Sequence, residues 1–244
     1  MCNHFEGKSA AEHLKAARLK GAHASAEIHG TEAPGSFVAF CDSAKETAVY
    51  LLLFSAILPQ LGGIPPYFFP LFILALLVWK IGRSGLLAYS RLDRLHRLIE
   101  EERFEIEHHR EQEREELTEM YAAKGLKGDL LKKVIDVLMA DDNRLLAIML
   151  EEELGLTFES FDHPLIQALG AGLGILLAGG IALGALFLPY GLPIASFLIV
   201  AASSALMARR RKNEVIPSTV WNLSLIALTY GVAYFVTHLF AGGA

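Results

Sequence analysis

Long charge-free runs, separated by dense blocks of charge, constrain this chain more than any other feature. No Asp, Glu, Lys or Arg occurs from Thr47 to Trp79, from Pro164 to Ala208, or after Glu214. An apolar run of about 18 residues or more, rising 1.5 Å per residue as a helix, crosses the roughly 30 Å hydrocarbon core of a bilayer. Most ionisable groups crowd instead into residues 80–162 and the N-terminal arm. Composition agrees, since 53% of the chain is hydrophobic before glycine is counted, more than soluble domains of this size carry. The pattern predicts an all-α integral membrane protein with a water-exposed insert.

The expected organisation has four parts. Residues 1–35 form an arm, within which residues 9–29 read as a short amphipathic helix. Ser9 can cap it with Glu12 at the third position, and Leu14, Ala17 and Leu19 supply its apolar side. The arm's Lys and Arg residues suit a membrane surface, and Pro34 and Gly35 break the helix. Residues 36–85 hold two spans, Ser36–Leu58 and a second from Tyr67 to Ile81, joined by the turn LPQLGGIPP. Asp42, Lys45 and Glu46 interrupt the first.

Residues 86–160 form the insert, expected as three helices. After Gly85 there is no Gly or Pro before Gly125, which predicts one long helix continuing the second span. Asp129 can cap LLKKVIDVLMA, and Asp141 or Asp142 can cap NRLLAIMLEEEL, which Gly155 ends. Residues 161–244 supply three more spans, because Pro164 to Ala208 splits at LPYGLP and Val215 to Ala241 follows. The total expected is five transmembrane helices. Gly170/Gly174 and Gly180/Gly184 stand in GxxxG register, a spacing that admits a close neighbour, although glycine is common in membrane helices generally.

The two short turns contain no Lys or Arg, whereas the arm, the insert and the loop ARRRKNE carry nearly all of them. The positive-inside rule then puts the N-terminus, insert and ARRRKNE loop in the cytosol and the C-terminus outside. The polar N-terminus has no apolar core of a cleavable signal. Cys2 and Cys41 have neither metal-type nor redox-type spacing. The net charge of −5 is local to the insert, whose acids call for a cationic partner and disfavour nucleic acid.

Those acids are patterned. On a helical wheel of about 100° per residue, Glu102, Glu105, His109, Glu113 and Glu116 share a stripe roughly 80° wide, while Arg103, Arg110 and Arg114 lie outside it. Carboxylates gathered on one face need solvent between them, protons, or a cation. A divalent ion meets that need, and oxygen ligands with an imidazole suit Fe²⁺, Mn²⁺ or Zn²⁺. A solvated charged face is the simpler alternative. Met149 lies one turn before Glu152 and Glu153, so a thioether and carboxylates can share a face; a core methionine is the more usual explanation for one such residue. The insert's carboxylates must be ionised to bind, so affinity should fall as pH drops toward about 4–5.

The pattern Glu102-x2-Glu105-x7-Glu113-x2-Glu116, followed by MYAAKGL and RLLAIMLEEELGL, resembles the metal-binding domain of vacuolar iron transporters. The resemblance covers residues 86–156 and extends in topology through 241. It implies five spans, a cytosolic three-helix insert between the second and third, a homodimer, and proton-driven removal of Fe²⁺ or Mn²⁺ from the cytosol. By position it assigns Glu102, Glu105, Glu113, Glu116, Met149 and Glu153 as ligands. Leu150 stands where the family has a Glu after the Met, leaving Glu151 or, with better spacing, Glu152 as the substitute. The family also carries an Asp in the first span and a Met and a Glu in the second. Here Asp42 lies near the Asp's place, Glu46 follows one turn later, and Lys80 falls near that of the Met.

Intramembrane charges are costly and usually functional. Asp42, Glu46 and Lys80 are therefore transport-pathway candidates, the alternative being internal pairing of either acid with Lys45 or Lys80. The expected function is a divalent metal transporter, not an enzyme, in a bacterial inner membrane or a vacuole-like organelle membrane. Two other functions fit less of the sequence. A membrane-anchored metal sensor or buffer needs no conducting spans. A di-iron carboxylate enzyme needs two ExxH elements, and only Glu105–His108 is evident.

Overall fold

The computed structural model describes residues 12, 33–61, 65, 67–152 and 163–241. The expected helix over residues 9–29 lies outside these, apart from Glu12. The described residues form eight α-helices and contain no strand: α1 (Gly35–Ile57), α2 (Phe68–His108), α3 (Arg110–Ala123), α4 (Gly128–Leu138), α5 (Asp142–Glu152), α6 (Pro164–Ala185), α7 (Gly191–Arg210) and α8 (Val215–Ala241). They fall into two compact units. One holds described residues from 33 to 89 and from 163 onward, and the other those from 90 to 152; α2 contributes to both.

In the first unit, α2, α6, α7 and α8 are long and apolar enough to cross a membrane. Their outer surfaces could not face water. Leu71, Leu74, Val78, Leu173, Leu198, Val220, Trp221, Leu228 and Phe235 are all exposed, and such area costs about 25 cal/mol per Å² in contact with water. The chain is therefore a multi-pass integral membrane protein. Helix α1 spans 23 residues, yet its three charges keep it out of that set of four.

Small residues decide how α1 packs. Cys41, Ala44, Thr47, Ala48, Leu51 and Leu52 are buried along it, at the spacing of one helical face, and it packs against α6, α7 and α8. The glycines of α6 set the closest approach. A methyl group added at Gly170 would stand 2.2 Å from the Ser36 carbonyl oxygen, and one at Gly174 2.2 Å from that of Phe40. Backbone meets backbone there, and any side chain would collide. Among the described residues a carbon added at Gly180 or Gly184 meets nothing within 4 Å, so of the two GxxxG pairs it is the first that these residues use. Gly172 and Gly179 instead receive the side chains of Ile81 and Ile73 from α2. At the end of the hairpin that α1 makes with α2, Phe54 packs edge-on against Phe68 and Phe72, with ring centroids 5.3 and 4.8 Å apart. Deeper along it, Ser84 of α2 and Gln167 of α6 exchange two 3.4 Å hydrogen bonds with each other's backbone carbonyls.

The second unit differs from expectation first in its longest helix. The predicted long helix is interrupted at His109, whose backbone (φ −126°, ψ 35°) leaves helical geometry although its N–H still donates to the Glu105 carbonyl at 2.7 Å. The unit therefore has four helical segments: the end of α2, α3, α4 and α5. Neither Pro nor Gly, the usual causes of a kink, stands at the break. Tertiary contacts hold it, because Arg110, the first residue of α3, donates to Asp142 at 2.7 Å and to the Met139 carbonyl at 2.5 Å.

Smaller corrections concern the caps. Lys127, not Asp129, precedes the first residue of α4, and Asp129 sits in the first turn because Gly128, at φ +61°, already begins the helix. Asp141 does cap α5, accepting from the Arg144 N–H at 2.8 Å. The segments close on an apolar core of Ile106, Leu117, Met120, Ile135, Leu145, Met149 and Leu150.

Candidate metal centre

Glu102 and Glu105 lie on the last turns of α2, and Glu113 and Glu116 on α3. On an unbroken helix Glu102 and Glu113 would be separated by about 16 Å along the axis, too far for their side chains to meet. The break at His109 removes that obstacle. Glu102, Glu105 and Glu113 each present a carboxylate oxygen, and these atoms lie within 4.8 Å of one another. Glu102 is 3% exposed and Glu113 fully buried, with Glu105 half-buried at the edge. Glutamate is almost never buried to this degree without a compensating partner. Three carboxylates at this spacing oppose each other's ionisation unless a proton or a cation lies among them.

Three cations of this unit have acidic partners on neighbouring helices. Arg114 pairs with Asp136 of α4, Lys124 with Glu152 of α5, and Arg110 with Asp142. These pairs tie α3 to its neighbours around the rim.

The remaining predicted ligands take varied positions. Glu116 is fully buried, one turn from Glu113, but is not within the three-carboxylate group. His109 sits at the break itself, half-buried, with its ring 6.4 Å from that of Phe104. Met149 is fully buried in the apolar core beside Leu117 and Leu150. Glu152 is held by Lys124, and Glu153 lies outside the described residues. The three clustered groups form a hard, all-oxygen donor set, suited to Mn²⁺, Mg²⁺ or Ca²⁺, whereas a thioether would shift preference toward softer transition metals.

A family model described as the VIT family matches residues 86–238, more than half of the chain. The chain belongs to the VIT family. Members of the vacuolar iron transporter family are membrane metal-ion transporters rather than enzymes, and the protein is accordingly a membrane metal-ion transporter. Comparison with curated proteins gives no match. In the ExxH element of the enzyme reading, the His108 ring stacks on Phe104 at 4.0 Å and its Nδ1 lies 2.9 Å from the Phe104 carbonyl oxygen.

The VIT match takes in the acidic segments and the last three helices, and leaves α1 and the first half of α2 outside. Asp42, Glu46 and Lys80 all lie in that unmatched part. Asp42 pairs with Lys45 at 3.0 Å on its own helix, and Glu46 of α1 pairs with Lys80 of α2. The internal pairing that the sequence allowed is therefore what the fold contains. That Lys80 would choose Glu46 was readable from the hairpin: the two residues stand equally far from the connecting turn, Glu46 before Leu58 and Lys80 after Phe68. The break at His109 had no comparable signal.

Proposed function

We propose that this VIT-family protein removes Fe²⁺ or Mn²⁺ from the cytosol by proton antiport, with the unit of residues 86–160 as a cytosolic metal-collecting insert. The convergence of Glu102, Glu105 and Glu113 within 4.8 Å carries this reading. A doubly charged ion resolves the repulsion such a group creates, and protonation reverses its binding. Glu116 lies close enough in sequence to join them, and His109, Met149, Glu152 and Glu153 are the further ligands proposed for a complete shell. Glu152 must leave Lys124 to take part. Zn²⁺ fits the same donors.

Helix α1 is proposed as a fifth span. Three helices able to cross a membrane enclose its small-residue face, and its acids are matched by Lys45 and Lys80. Asp42 and Glu46 are the proposed pathway acids, with Lys80 beside them. Their side chains remain 52% and 39% exposed, which supports a homodimer in which a second copy covers them. The charge bias of the loops supports a cytosolic insert in a bacterial inner membrane or a vacuole-like membrane. Reconstituted in liposomes, the protein should take up Fe²⁺ or Mn²⁺ faster when a proton gradient opposes the metal. Absence of metal flux under every gradient would remove this reading.

A membrane-anchored sensor or buffer is the second reading, favoured by the pairing of both intramembrane acids with lysines. Replacing Asp42 and Glu46 with Ala separates the two. A transporter loses flux while its insert still binds metal, whereas a buffer loses nothing.

A further inference from the structure

We infer that Lys80 is a specificity-determining residue of the transport path, a tethered counter-cation that occupies Glu46 and that a passing metal ion must displace. The inference rests on the reading above, in which α1 and α2 line the path. Three observations carry it. Glu46 is the middle residue of α1, as far from Gly35 as from Ile57, so its carboxylate lies at the greatest depth that helix offers. Lys80 reaches this depth from α2 and is 9% exposed, an unusual burial for lysine that its ion pair with Glu46 explains. Finally, the other acid of α1, Asp42, already has its own cation in Lys45, which leaves Lys80 to Glu46.

Competition at one carboxylate then sets selectivity. The ammonium is fixed on a neighbouring helix, so its effective concentration at Glu46 is on the order of millimolar or higher. A monovalent ion carries the same charge without that advantage and fails to displace it. A divalent ion has twice the Coulombic attraction for the carboxylate at equal distance and succeeds, while the flexible four-carbon stem lets the ammonium withdraw. Lys80 thus admits ions by charge, and its pair with Glu46 closes the site when no metal is passing.

The test compares the full-length wild type with Lys80→Met, Lys80→Gln and Lys80→Arg in proteoliposomes, measuring Mn²⁺ and Na⁺ fluxes. Loss of the ammonium should lower the KM for Mn²⁺ by about tenfold, the low end of close charge-pair couplings, and open a Na⁺ flux that the wild type lacks. Lys80→Arg should retain wild-type selectivity. Lys80→Gln keeps a hydrogen-bond donor toward Glu46 without the charge and serves where Lys80→Met does not fold. Neutral variants with wild-type KM and no Na⁺ flux would overturn the inference alone. Failure of both neutral variants to fold would make the pair a brace and overturn it too. A wild type that moves no Mn²⁺ overturns the transport reading and this inference together.

Discussion

The two units of this chain treat carboxylates in opposite ways. In the membrane unit each acid of α1 has a lysine, Asp42 with Lys45 and Glu46 with Lys80. Outside it, Glu102, Glu105 and Glu113 gather within 4.8 Å while Arg110, Arg114 and Lys124 hold Asp142, Asp136 and Glu152. With α1 as the proposed fifth span, solvent accounts for the difference. A charge in hydrocarbon has no water to fall back on and must be neutralised from within. Near water, a cluster of acids can be loaded and emptied of a mobile cation. Under the proposed function, capture and passage of metal would call for different chemistry, and the chain would keep them in different units.

Removing the cluster should break this contrast most severely. The Glu102→Ala/Glu105→Ala/Glu113→Ala variant should lose Mn²⁺ affinity by about 100-fold or more, as read by calorimetry on the purified full-length protein. Affinity equal to wild type would place the binding elsewhere. A second variant strikes the membrane unit alone. Gly174→Val forces a side chain against the Phe40 carbonyl and should cost about 1–3 kcal/mol, read as a lower thermal unfolding temperature. Gly180→Val, with nothing within 4 Å of its added carbon, serves as the neutral control. Insert binding of Mn²⁺ should survive both, and its loss in either would show that the two units are not independent.

Acid should sharpen the comparison further. Protons compete with metal for ionised carboxylates, so Mn²⁺ affinity is full near neutrality and should weaken by about tenfold or more between pH 7 and pH 4.5. A flat profile over that range would exclude the glutamates as ligands. The smallest effect belongs to the rim. Lys124→Ala frees Glu152 from a partly exposed pair, and such pairs contribute about 0.2–1 kcal/mol. Metal affinity should then change by less than about fivefold, and a larger gain would mean that Lys124 masks a strong ligand.

Much of this architecture is legible in the sequence because bilayers impose a simple rule. The charge-free runs mark α6, α7 and α8 to within a few residues, and Pro164 and the LPYGLP turn mark their limits. The N-terminal half of α1 is less legible, since Asp42, Lys45 and Glu46 lower its apolar character and only their partners explain their tolerance there. At the candidate centre, the wheel picks out Glu102, Glu105 and Glu113, which the fold brings together, but for an incomplete reason. It treats them as a stripe on one straight helix, whereas two helices bring them together. A kink without Pro or Gly leaves no local trace; it depends on Arg110 finding Asp142 and Met139, a contact across more than twenty-five residues of chain. Met149 shows the reverse ambiguity, because a sulfur at helical spacing suits both a ligand and a core, and here it lies in the core.

One consequence of the break at His109 is mechanical. The two carboxylate-bearing arms meet at a single non-helical residue, so an ion held between Glu102 and Glu113 would also fix the angle of that elbow. Occupancy and shape would then be one variable, and the elbow would relax only once its cargo had left.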